Sequence, residues 1–243
     1  MSAKTLIIGH RGAAAVLPEN TMESFRLAFH EHQADMIEFD LHLSKNGVPV
    51  ILHDAKLERT TNGRGFVAQK TLSYLKSLDA GRGFKIPTLE EVLAEFGMRG
   101  LSLEIKAKSE ELVHACMKLV RKYKAGDIVI GSKHNLVSRV LEKDYPGVPR
   151  FCSRQEILFL MTAFQTGAKP LREKSVRVAS VPPSCYGISF HRREWIDFLH
   201  AKGLKAFFWT IDDPLTMRRL RDYGADGIIT NNPGIARKTL SQA

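Results

Sequence analysis

Residues 5–44, TLIIGHRGAAAVLPENTMESFRLAFHEHQADMIEFDLHLS, pass from an apolar run to a helical pattern and back to an apolar run. TLIIGH reads as a strand, NTMESFRLAFHEH as an amphipathic helix and MIEFDLHLS as a second strand. A strand returned to its sheet by a helix lies parallel to the first. The same alternation continues outward from this unit. Further strands are expected at VPVILHD (the partner of MIEFDLHLS), GLSLEIKA, DIVIGSK, PRFCS, VRVASV, LKAFFWTI and ADGIITN. Helical runs fall between them at SEELVHACMKLVRKYKA, NLVSRVLEKDYPG, QEILFLMTAFQTG, REWIDFLHAKG and DPLTMRRLRDYG. Eight parallel strands over 243 residues favour a closed (βα)₈ barrel of the TIM type over an open doubly wound sheet. Residues 1–243 are therefore expected to form one α/β domain.

One interval breaks the rhythm. From Asp54 to about Ile86 the chain is rich in turn residues and carries at most one short helix. The pattern resumes at PTLEEVLAEFG, with Thr88 as the expected N-cap and Gly97 as the stop. The interval reads as an insertion over one mouth of the barrel, and long irregular loops of this kind are more often functional than idle.

The bulk chemistry is that of a soluble protein with an anionic partner. The 36 basic residues exceed the 26 acidic ones, giving a net charge of +10 and a pI near 9.6. Such an excess suits nucleic acid, acidic membrane surfaces or phosphorylated small molecules, or it merely solvates the surface. The Lys and Arg residues are dispersed and no nucleic-acid-binding motif occurs, so nucleic acid is not the expected partner. Cys116, Cys152 and Cys185 are too few and too scattered for a disulfide framework, which fits a reducing compartment. The longest apolar stretch, ILFLMTAF at 157–164, is too short to span a membrane, and the apolar run after Lys4 is too short for a signal peptide. A cytoplasmic location is expected.

In a βα barrel, chemistry sits at the C-terminal ends of the strands, and that rule sorts the polar residues. His10 and Arg11 end the first strand, and such a pair at a buried strand end suggests an anion held and a proton moved. Glu38 and Asp40 share one face of the second strand, as Glu104 and Lys106 share one face of LEIK. His53 and Asp54 end VILHD, Trp209 ends the seventh barrel strand, and Asn231 follows the eighth. Three inward carboxylates cannot all stay charged and unpaired, and an all-carboxylate set suits a hard divalent ion, Mg²⁺ or Ca²⁺. His10 and His53 then remain free to act as acid and base, and Arg11 and Lys106 match a phosphate. Taken singly, each feature has a plainer reading. A strand-end histidine is often structural, and ExD or LEIK can simply form an ion pair. Their coincidence at one barrel mouth is what carries the chemistry. His42, on the face of Glu38 and Asp40, is a minor candidate. His30, His32, His114, His134 and His200 lie in or beside helical runs and are given no role.

These segments, in order, resemble the glycerophosphodiester phosphodiesterase family. GHRG followed by PENT and the SF-x-x-A helix is similar to its opening signature, and IEFDLHLSKNGVPVILHD to its second block. RTTNGRG, LDAG, IPTLEEVL, LEIK, FWTI and ADGIITN continue the match across essentially the whole chain. The resemblance implies a metal-dependent barrel hydrolase that converts glycerophosphodiesters to sn-glycerol 3-phosphate and an alcohol. It implies that His10 and His53 are the acid/base pair and that Glu38, Asp40 and Glu104 hold the metal. Arg11 and Lys106 match phosphate contacts, and Trp209 an aromatic lining the glycerol pocket. Departures occur at Gln33, Asn46, Asp212 and Asn231, the last two where Asn and Asp respectively are frequent. Only Arg82–Lys85 separate LDAG from IPTLEEVL, which bears on headgroup selectivity. The alternatives are a lysophospholipase D built on the same site and an idle barrel that only binds phosphodiesters.

Overall fold

The computed structural model describes residues 4–167, 176–185 and 188–241, leaving aside the side chains of 176, 177, 185 and 188. Cys185, counted above among the thiols, thus has its side chain outside the described residues. Eight strands form the barrel: β1 (Leu6–His10), β2 (Met36–Leu43), β3 (Gly100–Ile105), β4 (Ile128–Gly131), β5 (Arg150–Phe151), β6 (Val176–Val181), β7 (Lys205–Phe208) and β8 (Gly227–Thr230). Each pairs in parallel with its neighbour, and β1 closes the ring by pairing with both β2 and β8. The segment VPVILHD supplies only a three-residue strand, Pro49–Ile51, which pairs antiparallel with β2 outside the barrel ring. His53 and Asp54 therefore lie beyond its end.

Alternation along the strands separates two cores. Ile8, Met36, Val129, Val178, Phe207 and Ile229 pack together as an inner layer. Residues of the opposite parity point outward: Ile37, Leu101, Leu103 and Ile130 pack under the helices Leu89–Phe96, Glu110–Lys122 and Asn135–Asp144. On the other side of the ring, Ile7, Ala179, Ala206 and Ile228 pack under Arg193–Ala201 and Pro214–Asp222. Because side chains alternate with period two, the inward parity runs from Ile8 to His10, from Met36 to Glu38 and Asp40, and from Ile229 to Asn231. It likewise places Ser102, Glu104 and Trp209 on the interior side, above the apolar floor.

The expected cap is present. The Thr88 hydroxyl accepts from the Glu91 amide while the Glu91 carboxylate accepts from the Thr88 amide, and Gly97 ends the helix. Helix Arg154–Thr166 buries Leu160, Met161 and Ala163, as expected for a core-facing stripe, but leaves Leu158 and Phe159 exposed. Arg150, on the shortest barrel strand, is buried because Glu142 and Glu156 pair with its guanidinium at 2.5 and 2.6 Å. Segment 54–86 contains a 3-10 turn at Val67–Gln69 and a short helix at Leu72–Ser77. It buries Leu57, Val67, Leu75, Leu78 and Ile86 with Val50 and Leu52, a small core of its own beside the barrel. Among the described residues, no helix is long and apolar enough to cross a membrane.

Candidate active site at the C-terminal mouth of the barrel

The GHRG turn builds one wall of the site. After His10 the backbone turns left-handed at Arg11 (φ 53°) and Gly12 (φ 90°). A Cβ on Gly12 would fall onto Ser24, whose hydroxyl accepts from the Ala13 amide at 2.8 Å and donates to the Arg11 carbonyl at 3.2 Å. Glycine is required there, whereas Arg11 accepts a conformation costing about 1–2 kcal/mol. Acidic partners hold it in place. The Arg11 amide donates to Glu38 Oε2 at 3.2 Å, its Nη1 to Glu19 Oε1 at 2.9 Å, and its Nε lies 3.1 Å from Asp40 Oδ2.

The acidic floor comes from β2 and β3. Their register sets Asp40 beside Glu104 and Glu38 beside Ser102. One carboxylate oxygen each from Glu38, Asp40 and Glu104 lies within 4.8 Å of the others. Lys106 Nζ bridges Asp40 Oδ1 at 3.2 Å and Glu104 Oε1 at 3.1 Å, and Asn20 Nδ2 donates to Asp40 Oδ2 at 2.8 Å. Burial acts to raise the Asp40 pKa, but Lys106, Arg11 and Asn20 together bring it below the usual carboxylate range. Burial acts to lower that of Lys106, but Asp40 and Glu104 outweigh it and raise it. For Glu38 the balance is reversed: burial, reinforced by Asp40 and Glu104, outweighs Arg11 and Lys106 and pushes its carboxyl well above the ordinary value. The three clustered acids have Arg11 and Lys106 as direct partners, and Lys133 and Arg154 line the same pocket. Oxygen donors from carboxylates alone fit a hard divalent ion.

Two histidines face this floor. His10 Nδ1 lies 2.7 Å from Asn231 Oδ1, and its Nε2 lies 3.9 Å from Glu38 Oε2. Burial and then Arg11 lower the His10 pKa, against the raising effect of the bond to Asn231. His53 Nδ1 lies 2.6 Å from Asp54 Oδ1, and the His53 carbonyl accepts from His42 Nε2 at 3.1 Å. Asp54 is drawn down to about 2, chiefly by the Arg59 guanidinium, whose Nε donates to Asp54 Oδ2 at 2.6 Å. Arg59 also donates to both Glu19 oxygens, at 2.8 and 3.0 Å. A continuous chain of hydrogen bonds thus runs from His53 through Asp54, Arg59 and Glu19 to Arg11.

A pocket of about 470 Å³ opens above these groups. His10, Arg11, Glu38, His53, Glu104, Lys106 and Trp209 line it, and Asp40 sits beneath it, 1% exposed. Trp209 is 43% exposed and is accessible to a ligand in the pocket. All eight residues singled out from the sequence therefore meet at one mouth. His42, the minor candidate, holds the backbone of His53 and does not line the pocket. His134 donates from Nε2 to the Lys106 carbonyl at 3.2 Å, a supporting contact, while His114 and His200 pair with Tyr145 and Asp226 elsewhere.

Sequence reasoning gave no role to Glu19, Asn20, Ser102 or Arg59. Glu19 and Asn20 belong to PENT and Arg59 to RTTNGRG, so the motifs marked their positions without revealing what they touch. Ser102 could have been found by parity with Glu104. The two departures, Asp212 and Asn231, turn out to bond each other, with Asn231 Nδ2 donating to Asp212 Oδ2 at 2.6 Å.

With this geometry in hand, comparison with known proteins is specific. The chain is 34% identical over 243 residues to the glycerophosphodiester phosphodiesterase of Caldanaerobacter subterraneus subsp. tengcongensis, covering 95% of each. It is 32% identical over 264 residues to a glycerophosphodiester phosphodiesterase of Bacillus subtilis, covering 97% of this chain and 86% of that one. An Oleispira antarctica phosphodiesterase, solved in complex with its product sn-glycerol-3-phosphate, superposes with a TM-score of 0.83 at 25% identity, covering 98% of both chains. The profile of the glycerophosphoryl diester phosphodiesterase family matches residues 10–235, and the chain belongs to that family.

Proposed function

We propose that this protein hydrolyses glycerophosphodiesters to sn-glycerol 3-phosphate and an alcohol, using His10 and His53 as an acid/base pair. The observation that carries the reading is the meeting of two histidines, three carboxylates and the cations Arg11 and Lys106 around one pocket. The product bound to the Oleispira relative supports the substrate class. Glu38, Asp40 and Glu104 would hold one divalent ion, Mg²⁺ or Ca²⁺, which when bound supplies positive charge for an oxyanion and a substrate hydroxyl. Residues 1–243 act as one barrel domain, with segment 54–86 forming part of its mouth. The reaction is assigned to the cytoplasm, in keeping with the buried free thiol of Cys116.

The chain's own residues divide the work. Arg11 and Lys106 bind the phosphate oxygens, Trp209 covers the glycerol carbons, and the two histidines face the reacting centre from the end of β1 and from the segment that follows Pro49–Ile51. The carboxylate beside His53, that of Asp54, is held by Arg59 and does not line the pocket, and the attacking oxygen is assigned to the substrate or to water. The glycerol 2-hydroxyl is already tethered near phosphorus and gains the effective molarity of a positioned group. One histidine takes its proton as the new O–P bond forms. The other protonates the leaving alcohol as the old O–P bond breaks. Water then opens the cyclic phosphate to glycerol 3-phosphate, with the proton transfers reversed.

The test is glycerol 3-phosphate release from glycerophosphocholine, set beside a 2-deoxyglycerol analogue and a long-chain lysophospholipid. Turnover of glycerophosphocholine is expected, with the deoxy analogue slower by at least about 10²-fold, given the size of proximity effects. Equal kcat/KM for the analogue would mean that water attacks directly. Turnover of the lysophospholipid alone would move the substrate class.

A further inference from the structure

The bond between His10 and Asn231 raises a question of polarity. An imidazole nitrogen can donate or accept, and so can the two ends of an amide. The surrounding bonds remove that freedom one step at a time. The Thr230 hydroxyl accepts from the Asn232 amide at 3.2 Å, so its own proton goes to Asp212 Oδ1 at 2.8 Å. The backbone amide of Asn231 donates to the same Asp212 oxygen at 2.8 Å. The other Asp212 oxygen, Oδ2, faces the Asn231 side chain at 2.6 Å. A carboxylate only accepts, so the Asn231 NH₂ must point at Asp212 and its carbonyl oxygen at His10. That carbonyl accepts only, and His10 Nδ1 must therefore carry the proton. His10 Nε2, on the pocket side and 3.9 Å from Glu38 Oε2, is left as the nitrogen with a free lone pair.

We infer that Asp212, acting through Asn231, is a positioning residue that holds His10 in the Nδ1–H tautomer and thereby makes His10 the base of the pair. The inference deepens the proposed function and rests on that reading for its catalytic consequence. His53 then falls to the acid role as the other histidine of the pair, its Nδ1 held by the Asp54 carboxylate at 2.6 Å. Asp212 touches neither the pocket nor His10; its whole effect is to choose which end of an amide His10 meets.

The isosteric change Asp212→Asn separates this role from a merely structural one. The new side chain can keep its oxygen on Thr230 and on the Asn231 amide, but its NH₂ then faces the NH₂ of Asn231. Asn231 turns over, presents its NH₂ to His10, and Nδ1 must accept, so the proton moves to Nε2. Adding Asn231→Asp restores an acceptor toward His10 and gives the new amide at position 212 a carboxylate to donate to. The measurement is the tautomer of His10 by ¹⁵N NMR of histidine-labelled protein at a pH of about 8, where imidazoles are neutral. Its resonances are identified by their loss in His10→Gln, and kcat and KM for glycerophosphocholine are measured in parallel. The wild type should show Nδ1–H and Asp212→Asn should show Nε2–H. The single variant should lose about 10²–10⁴ in kcat, the scale of general-base catalysis, with KM nearly unchanged. The double variant should recover Nδ1–H and most of the rate. An unchanged Nδ1–H form in Asp212→Asn overturns the inference, whatever happens to activity, and leaves Asp212 as a tie between two loops. A switched tautomer with undiminished kcat upholds the control of His10 and overturns instead its proposed role as base.

Discussion

At the scale of single residues, the two histidines differ in what stands behind them: a neutral amide behind His10 and a carboxylate behind His53. They are expected to work as one unit. Each His→Ala change should cost about 10²–10⁴ in kcat, and the double variant far less than the product of the two losses. Steady-state rates of the three variants check this, and multiplicative losses would mean independent roles. Asp54 gives a second prediction. Its folded pKa is depressed to about 2, so the stability it contributes is complete above the unfolded value and is lost as pH falls through the folded one. Asp54→Asn should therefore flatten the loss of stability between about pH 4 and pH 2, as seen in urea titrations at each pH. An unchanged acid limb would show that the pair with Arg59 adds nothing to folding.

Elements position these residues, and here the limits of sequence reading become physical. Strand parity was legible because apolar floor and polar mouth alternate on the same strands, so Ile8 predicts His10 and Met36 predicts Glu38 and Asp40. The Thr88 capping box was legible because its partners are three residues apart. Contacts between distant loops were not legible: nothing local in PENT says that Glu19 will meet Arg59, or that Asn20 will meet Asp40. The short strand Pro49–Ile51 likewise looks from its sequence like any other partner of β2, although it leaves the ring and turns His53 back over the mouth. At the GHRG turn, local conformation and packing act together. Gly12→Ala meets both a positive φ and the Ser24 hydroxyl, and should destabilise by more than about 1 kcal/mol in chemical denaturation. A midpoint equal to that of the wild type would show that the turn can relax away from Ser24.

On the scale of the whole molecule, the barrel brings residues from five of its strand ends and one flanking segment to a single mouth, and the apolar floor keeps their charges out of bulk water. The net charge of +10 is spread over the surface, yet three carboxylates cluster at the mouth. Overall charge therefore indicated an anionic substrate without revealing the acidic cluster, which only the two-residue spacings in IEFD and LEIK disclosed. That cluster is the centre of the account: Glu38, Asp40 and Glu104 are read as the seat of one divalent ion without which the histidines cannot turn over a phosphodiester. The direct measurement is glycerol 3-phosphate release from glycerophosphocholine by protein stripped with chelator, then supplied with Mg²⁺ or Ca²⁺, in the wild type and in Glu38→Ala. No turnover is expected when stripped, with recovery of the wild type on adding one of the two ions and little recovery of Glu38→Ala at the same ion concentration. Full activity of the wild type in excess chelator, with no metal found by elemental analysis, would contradict it.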